Sequence, residues 1–168
     1  KEIVEAGKKK KRLEKYFAKF MTDALDPSVS KDGRVLKVGG NIDQSGEVEL
    51  VRKNGGEFIG LFRTELMFLD RTDLPSEEEH FRIYYETLHR ALPLRTTIRI
   101  FDFGEDKAGK IAYKGSMGMR GIRLCRTRPD IFLPQIRALI RAAALGNLNI
   151  LLPFVSTVHE VDDFKEML

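Results

Sequence analysis

The sequence predicts an α/β fold assembled from βα units around a parallel sheet. From about residue 30 onward, short apolar runs alternate with longer stretches of helical periodicity, the pattern of strands and crossover helices. The last of those runs, Leu148 to Val155, is nearly continuous, as expected for a parallel strand covered on both faces. Its 42% hydrophobic and 32% charged residues, with no unbroken apolar run of about 20, describe a soluble globular chain rather than a disordered or membrane-spanning one. A complete (β/α)8 barrel takes about 250 residues; 168 allow only part of one.

Residues 2 to about 20 read as a helix, with Leu13, Phe17 and Phe20 spaced onto one face. Its basic run, Lys8 to Arg12, fits either a solvated surface or an anion-docking face. Turn formers from Asp26 to Gly33 suggest a linker, which divides the chain into a linker helix, 1–30, and a βα domain, 31–168. The first strand is expected over Arg34 to Ile42, and a helix within Ser45 to Asn54 stops at Gly55 and Gly56. The second strand is Phe58 to Phe62. The helix after it is marked by a capping box, Ser76 with Glu79, and an apolar stripe of Phe81, Tyr84, Tyr85 and Leu88.

A third strand spans Thr96 to Phe103, followed by a stretch rich in Gly and charge, to about Thr127, with the look of a long functional loop. Asp130 then caps a helix with apolar positions Phe132, Leu133, Ile136, Leu139, Ile140 and Ala143, for which Gly146 is the stop. Leu148 to Val155 is the fourth strand, and a helix from about Val158 is cut off by the chain's end. Four βα units fit half a barrel or a small doubly wound sheet equally well. Both architectures gather chemistry at the carboxyl ends of their strands.

Arg63 and Arg99 occupy corresponding places there, each near the end of a strand, in GLFRTE and TIRIFDFGEDK. Two converging guanidinium groups would clamp a phosphate or carboxylate through paired hydrogen bonds. Strand alternation puts Arg63 on a face with Ile59 and Leu61, and Arg99 with Thr97 and Phe101. The alternative is a structural ion pair for each, with Glu65 and Asp102 as partners. Gly104 to Lys110, GEDKAGK, matches the start of a phosphate-binding P-loop, but Ile111 stands where Ser or Thr must hold magnesium. Gly115, Gly118 and Gly121 fail the dinucleotide spacing.

His80 and His89, on a helix expected at the surface, and His159 lack a second ligand at metal spacing, so solvated or capping roles are expected. The single Cys125 excludes an intrachain disulfide; it reads as a small buried side chain, with a thiol activated by Arg126 as the alternative. A net charge of +4 and a pI near 9.2 mildly favour anionic partners. Without a signal-like N-terminus, a membrane span or a stacking platform beside Lys8 to Arg12, a cytoplasmic protein with no membrane or nucleic-acid partner is expected.

Five collinear segments then carry a resemblance: IGLFRTELMFLDR (59–71), LPSEEEHF (74–81), IRIFDFGEDK (98–107), GMRGIRLCRTRPDIF (118–132) and QIRALIRAAALGNLNILLPFVS (135–156). Together they resemble enzyme I of the phosphoenolpyruvate-dependent sugar phosphotransferase system, from residue 35 onward, and the N-terminal helix resembles that family's linker helix.

The resemblance implies the first half of a (β/α)8 TIM barrel, in an enzyme that passes a phosphoryl group from phosphoenolpyruvate to a histidine on a mobile domain and then to the carrier protein HPr. It implies that Arg63 and Arg99 bind phosphate, that Arg120 contacts substrate as in the family's GWRAIR-type motif, and that Asp102, at the RTxD position, orients Arg99. It also implies Mg2+ and a homodimer in the full-length enzyme. The family's metal ligands, catalytic cysteine and phosphohistidine motif match nothing here, so this segment alone is expected to be catalytically dead.

The chain departs from the family at Glu105, for the second glycine of GGDK, at Ile100, for Thr, and in a shorter loop from Lys107 to Gly118. Two alternatives stand beside enzyme I: a nucleotide-using relative such as phosphoenolpyruvate synthase or pyruvate phosphate dikinase, and a scaffold or regulator that kept the fold and lost the chemistry.

Overall fold

The computed structural model describes residues 2–68, 73–102 and 120–168. In chain order, helix α1 (Glu2–Asp23) leads into strands β1 (Ser28–Val29), β2 (Val35–Leu36) and β3 (Gly39–Ile42), followed by a 3-10 turn and helix α2 (Val48–Lys53). Strand β4 (Phe58–Phe62) runs into a 3-10 helix, Thr64–Phe68, and then come helix α3 (Glu77–Ala91) and strand β5 (Thr96–Arg99). Helices α4 (Ile122–Thr127) and α5 (Pro129–Ala142), strand β6 (Leu148–Leu151) and helix α6 (Val158–Glu166) complete the chain.

Among the described residues, four strands form a parallel sheet in the sequential order β3-β4-β5-β6. This order lacks the reversal that creates a switch point in a doubly wound sheet and is consistent with an arc of a barrel, in which each strand neighbours the next. The core lies between the sheet and the layer of α3 and α5: Ile59, Phe62, Ile98 and Phe101 from the strands and their exits meet Tyr84, Leu88, Phe132, Ile136 and Leu139, all buried. Each large apolar side chain fully removed from water contributes roughly 1.5–3 kcal/mol.

The segment expected as a linker instead forms a turn of structure. β1 and β2 pair antiparallel, closed by a Ser30 hydroxyl that bonds the Asp32 carboxylate and the Arg34 backbone, with Gly33 at φ 84°. The strand expected over Arg34 to Ile42 is consequently two strands, β2 in that hairpin and β3 in the parallel sheet.

Strand β4 has the expected limits, but one extra residue at Gly60 shifts its register against both neighbours. Ile59 and Phe62, three apart, are the buried pair, so simple alternation does not carry from Ile59 to Arg63. On α3 the capping box forms as expected: the Ser76 hydroxyl accepts the Glu79 amide and the Glu79 carboxylate accepts the Ser76 amide. Its buried stripe is His80, Tyr84, Thr87, Leu88 and Ala91, so Tyr85 faces water and His80 is only 1% exposed. The surface position expected for His80 is thus overturned: α3 is covered by both the sheet and α5.

The stretch expected as loop up to Thr127 includes α4, which begins after Gly121. α5 starts at Pro129 rather than behind an Asp130 cap; Asp130 lies in its first turn and accepts two hydrogen bonds from Arg128, which hold its carboxyl below the usual range. Gly146, at φ 79°, ends the helical stretch as expected. β6 is the outer strand, with Asn149 and Leu151 exposed, and not covered on both faces. The P-loop-like segment, Glu105 and the loop from Lys107 to Gly118 lie outside the described residues.

Candidate functional site

The carboxyl ends of β3, β4 and β5 each carry a charged residue at or just past the last strand position: Asp43, Arg63 and Arg99. Ile42 is in register with Phe62, so the residues that follow, Asp43 and Arg63, come side by side. They form a two-pronged pair, with Arg63 Nε on Asp43 Oδ1 and Nη2 on Oδ2, both at 2.5 Å. The pair is half in water, with the arginine side chain 50% exposed. Its partner is therefore Asp43, and not Glu65 as the sequence alternative supposed.

Arg99 sits deeper. Its Nη2 donates to Glu65 Oε1 at 2.7 Å, and its Nη1 lies 3.7 Å from Asp102 Oδ2. Both carboxylates are buried, and Glu65 Oε1 also accepts the Asp102 backbone N–H at 3.2 Å. Arg120, just before α4, reaches the other oxygen of Asp102 through Nε and Nη2 at 3.2 Å. Asp102 thus ties two arginines from separate βα units into one cluster.

Two further features fix Arg120. Its guanidinium stacks 5.0 Å above the Phe154 ring, an arrangement favoured by the ring quadrupole. Phe154 holds a left-handed φ of 62° just beyond β6, and Gly121, at φ 54°, lets the chain pass so close that a Cβ there would lie 2.5 Å from the Pro153 carbonyl oxygen. Among the described residues, the buried Arg99 Nε meets no hydrogen-bond acceptor. A buried, unpaired guanidinium N–H is costly and is relieved by an anion that supplies the acceptor.

Residues 18–168 match the family described as PEP-utilising enzyme, PEP-binding domain. The chain belongs to that family. Among curated proteins, this PEP-binding-domain chain is 39% identical over 150 residues to the phosphoenolpyruvate-protein phosphotransferase of Bacillus subtilis, covering 85% of the chain and 26% of that protein. It is 39% identical to the protein of that name from Staphylococcus carnosus over 84% of the chain and 26% of the relative, and 38% identical to that of Staphylococcus aureus over 94% and 29%. The chain spans about a quarter of the length of the curated relatives it matches. The resemblance to the phosphotransferase family read from five motifs is borne out.

Arg99, Asp102 and Arg120 are brought together, whereas the Arg63 guanidinium turns to Asp43. Asp43 lies outside the five segments, and Gln135 and Phe154 lie within the last of them without a role having been read for either. Asp43 was findable as the charge opposite Arg63 on the neighbouring strand, and Gln135 as the polar residue on a helix face otherwise made of Phe132, Ile136 and Leu139.

Among the described residues no group of three or more His, Cys, Asp or Glu side chains is placed to hold a metal, and no helix is long and apolar enough to cross a membrane. Asp43, Glu65 and Asp102 are each engaged with arginine, so they do not fit a magnesium site. Cys125 is buried and its thiol is pushed up to about 12 by desolvation, while Arg126 pairs with Asp163. The activated-thiol alternative is overturned.

Proposed function

We propose that this chain is the phosphoenolpyruvate-binding part of a protein phosphotransferase, with Arg63, Arg99 and Arg120 as its anion-binding side chains and Asp102 as the carboxylate that orients two of them. The observation that carries the reading is the cluster itself: two guanidiniums fastened to one buried carboxylate, one with a buried N–H that meets no acceptor among the described residues. Phosphate suits that donor set, because a guanidinium fork matches two of its oxygens.

In this reading residues 1–30 are a linker helix and residues 31–168 the first half of a TIM barrel. In the whole enzyme the P–O bond of phosphoenolpyruvate breaks, an N–P bond forms on a histidine of a mobile domain, and the released enolate takes a proton to become pyruvate. The phosphoryl group then passes to HPr. Homodimerisation and a cytoplasmic location belong to the same reading. The magnesium implied for the whole enzyme draws no ligand set from the described residues, and no step here runs through it. The arginines contribute by neutralising charge on the moving phosphoryl group; a single arginine finger elsewhere is worth about 10³ to 10⁵ in rate.

Titration with phosphoenolpyruvate tests the reading. The chain should bind at millimolar concentration or tighter, and Arg63→Ala and Arg99→Ala should each abolish binding while far-UV circular dichroism stays unchanged. Binding that survives both substitutions refutes the assignment.

A further inference from the structure

Behind the arginine cluster lies a buried polar chain that touches no solvent and whose members come from four elements. Gln135 of α5 is 0% exposed and uses both ends of its amide. Its Oε1 accepts the Phe101 backbone N–H at 3.0 Å, which fixes the amide orientation, since that N–H can only donate. Its Nε2 then donates to Thr64 Oγ1 at 3.3 Å and to the Tyr84 hydroxyl at 3.0 Å.

That choice carries on to the groups the amide touches. Thr64, accepting from Gln135, donates its own hydroxyl to the Arg99 carbonyl at 2.9 Å. Tyr84, accepting likewise, shares a hydrogen bond with His80 Nδ1, 3.0 Å away. Burial pushes the Tyr84 phenol far above its ordinary value, so it remains a neutral hydroxyl.

We propose that Gln135 is a positioning residue for anion binding, acting through the backbone at Arg99 and Phe101. The inference rests on the phosphoenolpyruvate reading above and deepens it. The amide holds Phe101 directly and Arg99 through the Thr64 hydroxyl, so it links the exit of β5, which leads into Asp102, to the residue after Arg63. On one edge of this exit the Ile100 N–H still bonds the Leu151 carbonyl of β6 at 3.1 Å, and the network from Gln135 holds the Phe101 N–H and the Arg99 carbonyl, which β6 leaves to it. A guanidinium clamp tolerates little backbone freedom there, because binding geometry must be held within about 0.5 Å.

The test is phosphoenolpyruvate titration of the full chain by calorimetry with five variants, one of them a double. Gln135→Met keeps the volume and removes all three hydrogen bonds; binding should weaken about ten-fold, a usual coupling for residues sharing one network. In an Arg99→Lys background, which keeps the charge but loses the fork, adding Gln135→Met should weaken binding less than two-fold further. Thr64→Val, which cuts only the branch to the Arg99 carbonyl, should also weaken binding, and Thr64→Ser should restore it. If Gln135→Met fails to fold, the Thr64 pair decides by the same criterion.

A lowered melting temperature with unchanged affinity makes Gln135 merely structural and overturns the inference, as do fully additive effects with Arg99→Lys. Failure of the unmodified chain to bind sinks the phosphoenolpyruvate reading itself, and this inference with it.

Discussion

The two ends of the candidate site hold arginine in different ways. At the β3–β4 end, Arg63 and Asp43 make a geometrically good pair in water, the arginine 50% exposed. At the β5–α4 end, Arg99 and Arg120 are 20% and 26% exposed and share carboxylates that are 8–9% exposed. Exposed pairs contribute about 0–1 kcal/mol, because water and salt screen them and both side chains lose freedom. A carboxylate inside the protein leaves a large penalty behind when its partner is removed. The Arg63 pair is therefore one that can be exchanged at little cost, on the proposed reading for an incoming phosphate, whereas the Arg99 cluster is a fixed frame. On the proposed reading, exchangeable and fixed arginines on neighbouring strands give a site that is stable empty and still able to take up charge.

The largest expected effect separates the two ends directly. Glu65→Ala removes the acceptor of both Arg99 Nη2 and the Asp102 N–H and should cost about 3 kcal/mol in urea unfolding. Asp43→Ala should cost less than about 1 kcal/mol. In phosphoenolpyruvate titration the signs should differ too, since Asp43→Ala frees Arg63 from a competing carboxylate and tightens binding, while Glu65→Ala loosens it. Equal losses of stability from the two variants would erase the distinction. A smaller effect is expected at Gly121, whose φ of 54° and approach to Pro153 exclude a side chain. Gly121→Ala should cost about 2 kcal/mol of backbone strain and weaken anion binding by shifting Arg120; unchanged stability would show that the Pro153 turn yields freely.

How far the sequence foretold this difference depends on the range of the interaction. β4, the capping box of α3 and the stop at Gly146 depend on a few adjacent residues, and each stands where local chemistry put it. The β1–β2 hairpin was hidden because turn formers mark a linker and a hairpin loop alike. α4 was hidden because six residues bounded by a left-handed glycine hold too little periodicity to read. The extra residue at Gly60 escaped for a similar reason: a single inserted position changes which side chains are buried without changing composition.

Within the site, Arg63, Arg99, Arg120 and Asp102 were legible because motifs name them. Asp43 and Gln135 could be picked out as a charge and a polar residue at marked positions, but the pairing of Asp43 with Arg63 follows from strand register and the bonds of Gln135 from the packing of α5 against α3, which arise only on folding. His80 shows the same limit, since the face of α3 that α5 covers turned a polar ring inward.

The smallest effect lies beyond β6, where the chain that carries Phe154 turns into α6. Glu160 accepts the backbone N–H of Ser156 at 2.6 Å and of Thr157 at 3.0 Å, and these bonds hold its carboxyl below the usual glutamate range. A lowered folded-state pKa means that the stabilisation is complete above glutamate's ordinary value, about 4.3, and is lost as pH falls through the lower folded value. Amide exchange in α6 should therefore accelerate only in acid below that ordinary value, while Glu160→Gln should show the same exchange rates, corrected for intrinsic chemistry, across the window. Because Arg123 contacts the Phe154 carbonyl, Ser156 Oγ and Glu160, loosening the α6 cap should also slacken the Phe154 ring against Arg120. A Glu160→Gln variant whose α6 amides still lose protection in that acid range would place the titrating group elsewhere, with Asp162 and Asp163 the nearest carboxylates to examine.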